Sequence, residues 1–459
     1  MEIVSKYSPV PGPGPDLAGK RVVVVGLGKS GVAAAKLCLA RGAHVVGTDS
    51  APADQTSEEA RALGIELVLG GHEGAKFETA KLIVVSPGVP QLPALTRAEL
   101  AGVEVIGELE LASRFIDAPI VAIGGTNGKS TTTTLVGDMF AAGGLKAFVG
   151  GNLGIPCCEA VGANYDVVVF EVSSFQLERV PSFQPRVSVL LNITEDHLDR
   201  YPSFLAYAEA KGNAFVQQSP DDYAIVPEGD ADCRQQAKRG RGQVLCFGRY
   251  GDYVVSGRSV TETRSGEVFD LESSALYGRH NLENAAAAIA AARALDLKAS
   301  AIRQALAAFR PLPHRMARVA NFGGVTFYDD SKGTNVGASV TALLGLSEAR
   351  GVLIAGGRDK QGAYDSLVSA LEAKGRALVL IGEAADRIAE AVGARVPVLR
   401  ARSMDDAVEQ AFSAARAGDA VLLSPACSSF DMFKSYADRG DQFVSAVQRL
   451  AQSQVEVSS

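Results

Sequence analysis

The sequence predicts a multidomain α/β protein built on parallel sheets, and three observations carry that prediction. At 459 residues the chain exceeds the roughly 250–300 residues at which one core stops growing, so two to four domains are expected. Short runs of Val, Ile and Leu recur along almost the whole length, apolar throughout, as strands covered on both faces must be. Helical stretches fall between them, the arrangement that parallel strands require.

In chain order the strand runs are RVVVVGLG (21–28), AHVVGTD (43–49), KLIVVSPGV (81–89) and PIVAIGGT (119–126). YDVVVFEVSS (165–174), RVSVLLNI (186–193), VLIAGG (352–357), ALVLIG (377–382) and DAVLLSP (419–425) continue the series. KLCLARG (36–42) and NAAAAIAAARALD (284–296) read as helices. One boundary is expected near 107–118, where VEVIG gives way to the acidic helix ELELASRF. A second falls in FRPLPHR (309–315), where two prolines in three residues forbid a continuing helix. These divide the chain into 1–107, 108–311 and 312–459. A small all-β insertion is expected over 243–278, and the Pro/Gly-rich 9–15 reads as a loose lead-in.

Hydrophobic residues make up 47% and charged residues 21%, ordinary for a packed globular protein. The formal net charge of −7 argues against a nucleic-acid-coating surface, so single anions must be caught by loops and placed cations. The six cysteines form no C-x-x-C pair and read as small buried hydrophobes. The first residues lack the basic flank and apolar core of a secretory signal. No apolar run approaches the ~20 residues of a membrane span. A cytoplasmic protein is expected.

IVAIGGTNGKSTTTT (120–134) is an apolar strand, a glycine-rich turn and a helix start. Such a turn aims successive N–H groups at phosphates, and the helix N-terminus adds its positive dipole end. Lys129 would bridge the β- and γ-phosphates of ATP, and the Ser130 hydroxyl would ligate Mg²⁺. Against the pattern G-x-x-x-x-G-K-[ST], Ile123 occupies the first position and Gly124 comes one place late, so the loop is a variant. A Ser/Thr-rich cap after a strand is the blander reading, and Gly-Lys-Ser behind further small residues disfavours it.

GLGKSG (26–31) fits G-x-G-x-x-G after a strand, with Asp49 ending the next strand. By itself this suggests a nicotinamide or flavin site. The pattern specifies only a diphosphate on a helix N-terminus, and any nucleotide diphosphate meets it. Asp49 could accept from a ribose hydroxyl, and SPGVP (86–90) would face the same crevice. A purely structural tight turn remains the alternative.

GTNGKST (125–131), EVSSFQLE (171–178), NITEDHLDRY (192–201), GRHNLENAAAA (278–288), PHRM (313–316), DDSKGTN (329–335), GGRDKQ (356–361) and SPACSSFDMFKSYADRGDQF (424–443) occur in this order. Together they resemble the Mur ligase family, from Val22 to Phe443, and within it the members that add D-glutamate to UDP-N-acetylmuramoyl-L-alanine. The resemblance implies three domains: Rossmann-like and UDP-binding, central P-loop ATPase, and C-terminal Rossmann-like. It implies an acyl phosphate made from ATP and attacked by the incoming amine, a cytoplasmic step of peptidoglycan precursor synthesis. A monomer is expected.

The resemblance also assigns residues. Gly125, Thr126, Asn127, Gly128, Lys129, Ser130 and Thr131 would bind ATP, with Asn281 and Asn284 facing adenine, Arg315 the phosphates and Asp330 the ribose. Each asparagine could instead cap the helix that follows. Glu171 closes YDVVVFE, where a hard carboxylate suits Mg²⁺, and His197 joins the Mg²⁺ site by resemblance alone. Lys211 reads from sequence as a surface helix lysine; the resemblance makes it a CO₂-carbamylated metal ligand. Lys29, Ser30, Asp49, Ser50, Gly88, Asn152, Ser173 and Gln176 would hold the UDP substrate. Lys332, Thr334, Lys360, Ser429, Phe430 and Tyr436 would hold D-glutamate, Lys332 also serving catalysis. Phe430 and Tyr436 depart from the leucine and phenylalanine familiar at these places. Three rivals stand beside this reading: a related ligase such as a folylpolyglutamate synthase, a nicotinamide dehydrogenase built on GLGKSG, and a P-loop switch that hydrolyses ATP.

Overall fold

Three sheets account for the apolar runs. The computed structural model describes residue 14 and residues 16–198, 200–276, 278–310, 312–358 and 363–458. The first sheet holds β1 (Arg21–Val25), β2 (His44–Asp49), β3 (Glu66–Leu69), β4 (Leu82–Val85) and β5 (Glu104–Gly107) in the order β3-β2-β1-β4-β5. All its pairings are parallel. The order reverses at β1, and a crevice opens beyond the strand ends where an α/β sheet switches direction in this way. Val22 to Val25 are fully buried, each contributing about 1.5–3 kcal/mol through burial, which is why RVVVV can only be a central strand.

The second sheet holds β6 (Ile120–Gly124), β7 (Ala147–Gly151), β8 (Val167–Glu171), β9 (Val187–Leu190) and β10 (Tyr223–Pro227). β11 (Gln243–Gly248), β12 (Tyr253–Ser256), β13 (Ser259–Glu262) and β14 (Glu267–Asp270) complete it. The order is β14-β13-β12-β11-β10-β9-β6-β8-β7, so the strand before the phosphate loop lies between β8 and β9, away from either edge. The β-rich segment expected at 243–278 exists, but not as a separate insertion. β11 pairs parallel to β10, and β12–β14 extend the same sheet as antiparallel edge strands. The strand YAIVP (223–227), too short to stand out in the sequence, is what joins it to the rest.

The third sheet holds β15 (Ala317–Phe322), β16 (Val325–Asp329), β17 (Gly351–Gly356), β18 (Gly375–Ile381), β19 (Val398–Arg400) and β20 (Ala420–Leu423), ordered β15-β16-β20-β17-β18-β19. Only β15 and β16 pair antiparallel. Its strands alternate between two cores: Val352 and Ile354 join one cluster, Leu353 and Ala355 the other. Side chains with a period of two, covered on both faces, produce the continuous apolar run read in the sequence.

The chain forms two compact units. One comprises residues up to Ile193 with Leu205–Ser274 and Leu282–Phe309; the other comprises Thr194–Phe204, Ala275–Asn281 and Arg310–Ser459. The first two sheets share one unit because a single cluster joins Val22, Val24, Cys38 and Leu82 to Ala122, Phe148, Cys157, Cys158 and Phe170. Among the described residues no helix is long and apolar enough to cross a membrane.

Candidate active site

In the first unit, β6 ends at Gly124 and the helix Lys129–Ala142 begins five residues after it. Gly125 (φ 143°) and Gly128 (φ 85°) lie where L side chains are strained. At Gly128 space is also lacking: a Cβ would stand 2.3 Å from Asn284 Oδ1. That close approach places Asn284 directly against the loop. The Asn127 N–H donates to Asn192 Oδ1 at 2.8 Å, Asn192 Nδ2 donates to the Asn127 carbonyl at 3.1 Å, and the Thr126 N–H donates to the Asn192 carbonyl at 3.0 Å. Thr126 Oγ1 and the Tyr207 hydroxyl lie 3.0 Å apart. Sequence reading missed Asn192 and Tyr207 as braces of the loop; the signal available was that each falls in or near NITEDHLDRY.

Lys129 Nζ donates to the carbonyls of Gly125 (3.0 Å) and Thr126 (2.9 Å). Ser130 and Thr131 are buried in the first helical turn. Glu171 ends β8 in register with Ile123 of β6, which sets its carboxyl beside the loop. Its Oε1 accepts from Asn152 Nδ2 at 2.5 Å, while Oε2 is buried with no hydrogen-bond partner. A buried carboxylate oxygen left so is costly, and a hard cation is the group that suits it.

The surface-helix reading of Lys211 is overturned. On the helix Phe204–Val216 it is only 3% exposed, its Nζ donates to the Gly125 carbonyl at 2.9 Å and lies 4.6 Å from the Tyr207 ring centroid. The structure therefore gathers the loop, Glu171, Lys211 and Asn284 within one unit.

In the same unit, Lys29, Ser30, Asp49, Ser50, Gly88, Asn152 and Gln176 line a single cleft of about 750 Å³, together with Gly26, His72 and Ser86. Ser173 is absent from this lining and holds Gln176 instead: its N–H and hydroxyl donate to Gln176 Oε1 at 3.0 and 3.1 Å. The Asp49 carboxylate already accepts from the N–H groups of Leu27 (2.6 Å) and Ala51 (2.9 Å). It braces the GLGKSG turn, and any ribose hydroxyl must use its remaining lone pairs. Gly31 is fixed by packing, since a Cβ would fall 1.8 Å from the Gly26 carbonyl oxygen. Gly88 and His72 come from separate loops, and His72 Nδ1 lies 2.9 Å from Thr48 Oγ1.

The second unit holds His197, Asn281, Arg315, Asp330, Lys332, Thr334, Ser429, Phe430 and Tyr436; Lys360 lies outside the described residues. His197 adopts a left-handed backbone (φ 55°), and its N–H donates to Asp196 Oδ1 at 2.9 Å. Asp196 Oδ2 accepts in turn from Asn335 Nδ2 at 3.1 Å, tying EDHLD to DDSKGTN. Burial pushes the Asp330 carboxyl up to about 7, opposed by the Ser424 hydroxyl and the Arg315 charge. Ser424 Oγ donates to Asp330 Oδ2 at 2.8 Å. Lys332 Nζ sits 4.0 Å from the Tyr436 ring centroid, and the Thr334 N–H donates to the Lys332 carbonyl at 2.8 Å. Ser429 is buried, whereas Phe430 is 67% exposed.

Arg439, which sequence reading also missed, is fully buried. It donates to Ser331 Oγ (3.0 Å), the Ser331 carbonyl (2.8 Å) and the Cys427 carbonyl (3.2 Å). Burial lowers its guanidinium to about 10. His314 Nδ1 lies 2.6 Å from Asp329 Oδ2, and the His314 carbonyl accepts from the Lys332 N–H at 3.1 Å. Both hold the segment that carries Lys332.

Residues 20–107 match the MurD-like N-terminal domain of Mur ligases, residues 123–292 the Mur ligase middle domain and residues 314–427 the Mur ligase glutamate ligase domain. The chain belongs to the Mur ligase family. Over 94% of its length it is 45% identical to the UDP-N-acetylmuramoylalanine–D-glutamate ligase of Desulfosudis oleivorans, 96% of which is covered. A protein of the same description from Trichlorobacter lovleyi is 44% identical over 95% of this chain and 100% of its own. The solved MurF ligase from Thermotoga maritima, in complex with ADP, matches 99% of this chain and 100% of its own with a TM-score of 0.60 at 16% identity, a likeness of fold alone.

Proposed function

We propose that this protein is an ATP-dependent ligase joining D-glutamate to UDP-N-acetylmuramoyl-L-alanine, acting in the cytoplasm as a monomer with domains 1–107, 108–311 and 312–459. The observation that carries the reading is 45% identity, across 94% of the chain, to a relative described as that ligase. The cleft lined by Lys29 and Ser30, at the switch point of the first sheet, suits a uridine diphosphate. The Gly125–Thr131 loop suits the phosphates of ATP.

A free carboxylate is a poor electrophile. Transfer of the γ-phosphoryl group to the substrate's alanyl carboxylate makes an acyl phosphate, with ADP leaving. The D-glutamate amine then attacks the acyl carbon, and phosphate leaves from a tetrahedral intermediate. Positioning and fixed cations carry most of such catalysis. Lys129 neutralises charge on the transferring phosphoryl group once it leaves the loop carbonyls. Glu171, Ser130, His197 and a carbamylated Lys211 would hold Mg²⁺, and the orphaned buried oxygen of Glu171 suits that assignment. Mg²⁺ when bound would screen phosphate charge and orient the oxygens. Asn281, Asn284, Arg315 and Asp330 would hold the nucleoside and phosphates. Lys332, Thr334, Lys360, Ser429, Phe430 and Tyr436 would hold D-glutamate.

The test is phosphate release from ATP with UDP-N-acetylmuramoyl-L-alanine, omitting or adding D-Glu, L-Glu, L-Lys, meso-diaminopimelate and L-Ala in turn. Release that requires both the uridine substrate and D-glutamate is expected. Release independent of any amino acid would return the reading to a P-loop switch. NAD(P)H binding without uridine-nucleotide binding would return it to a dehydrogenase.

A further inference from the structure

Like Glu171, Glu108 is a buried carboxylate with one oxygen left without a hydrogen-bond partner, but it lies away from the phosphate loop. It opens the helix Glu108–Ser113 directly after β5 and is 1% exposed. Its Oε1 accepts the Cys158 N–H at 2.7 Å, and the Cys158 thiol donates to the Glu108 carbonyl at 3.7 Å. Its Oε2 is buried and has no hydrogen-bond partner.

What this carboxyl holds leads to the cleft. Cys157 and Cys158 begin the short 3-10 turn Cys157–Ala160, and the preceding segment contributes Gly151, Asn152, Gly154 and Pro156 to the cleft wall. Gln176, also in that wall, donates to Cys157 Sγ at 3.9 Å. A chain of contacts therefore runs from Glu108 through the turn to Gln176, entirely within one compact unit. Neither Glu108 nor the cysteines touch the cleft themselves.

We infer that Glu108 is a positioning residue for the uridine substrate: its carboxyl pins the 157–160 turn that backs the cleft wall, and gaining or losing one proton changes how firmly. This rests on the uridine-substrate reading of the cleft. Burial pushes the carboxyl up to about 7, from a usual value near 4.5, with the amides and thiols of Cys157 and Cys158 opposing. Lys29, Lys36 and Cys38 come from the packed helix Lys29–Ala40, Glu104 from β5, Glu159 from the turn, and Glu178 and Arg179 from the 176–179 turn. Lys36 is engaged by Glu59, Arg179 by Glu99, and Glu110 of the same helix by Arg114. β4 carries no titratable group. An ionised Glu108 is held by the amides and thiols of Cys157 and Cys158, with no charged group among the causes of its shift, and its burial disfavours that state.

Glu108→Gln keeps an acceptor for the Cys158 N–H and removes the titration. Amide hydrogen exchange of residues 151–160, corrected for the intrinsic pH effect, is measured at pH 6 and pH 8.5 in both proteins. Binding of UDP-N-acetylmuramoyl-L-alanine and the KM for ATP are measured in parallel. Wild type is expected to lose protection in 151–160 and about three- to tenfold in uridine-substrate affinity on going to pH 8.5. The variant should change in neither, and the KM for ATP should show no such difference between the two. Equal pH responses in wild type and variant overturn the inference, as does loss of protection without loss of affinity. The wild-type exchange arm decides even if the variant folds poorly, since unchanged protection across pH overturns it. A wild type that binds no uridine substrate at either pH refutes the functional reading first, and this inference with it.

Discussion

Lys129 and Lys211 donate to the same oxygen, the Gly125 carbonyl, at 3.0 and 2.9 Å. Two ammonium groups around one neutral acceptor in a partly dry site repel each other. A triphosphate on the loop would draw Lys129 outward, and an anionic carbamate on Lys211 would turn the repulsion into attraction. The arrangement is poised for a polyanion, and the first two predictions follow from it.

Lys129→Ala should lose at least about a hundredfold in kcat, the range seen when one cation or donor is removed from a developing charge. The fold should survive, because water can satisfy the Gly125 and Thr126 carbonyls that the lysine holds. Phosphate release and thermal melting check the two halves. A well-folded variant with near-normal turnover would remove the phosphate-loop assignment.

Lys211→Ala should be almost inactive and should regain part of its activity with acetate or formate. Its ammonium is buried at the Gly125 carbonyl and beside Tyr207, so truncation opens a pocket in which a small carboxylate can replace the carbamate oxygens. Full activity without added acid, or an unmodified lysine by mass in active enzyme, would count against the carbamate.

Asp330→Asn tests the pH dependence of the second unit. The native carboxyl is raised to about 7 by burial, so its stability contribution is complete below the unfolded value near 4 and is lost as pH rises toward 7. The neutral variant should therefore gain on wild type from pH 5 to pH 8, with a plateau above pH 7. The full difference is at most about 4 kcal/mol. Thermal melting of both proteins at pH 5 and pH 8 reads it; an equal gap at the two pH values would contradict the buried-carboxyl account.

The strands and loops were legible because they depend on local pattern. RVVVV and VVVFE are apolar on both faces, and GGTNGKS carries its turn chemistry in its glycines. Lys211 was not legible from spacing, since its helix carries an apolar stripe wide enough to hide a buried lysine among AYAEAKGN. Asn192, Tyr207 and Arg439 act on segments 65, 81 and 108 residues away, and periodicity holds no information about such contacts. The β-strands at 243–270 were read correctly, but their sheet was not, because the pairing partner β10 is a separate short run.

Tyr436 and Lys332 give the sharpest test of the amino-acid site. The ammonium lies 4.0 Å from the ring centroid, within the reach of a cation–π contact worth about 0.5–2 kcal/mol, depending on exposure. Tyr436 is 36% exposed, so the lower half of that range applies. The ring restricts a long flexible side chain and aims its charge, whereas the phenolic hydroxyl plays no part in the contact. Tyr436→Phe should therefore leave the KM for D-glutamate within about twofold of wild type. Tyr436→Leu should raise it by about two- to fivefold, the change that 0.5–1 kcal/mol produces. The KM for ATP should stay constant in both, which separates loss of lysine placement from general loosening. A Phe variant as impaired as the Leu variant would assign the effect to the hydroxyl, and a Leu variant with unchanged KM for D-glutamate would detach Lys332 from that substrate.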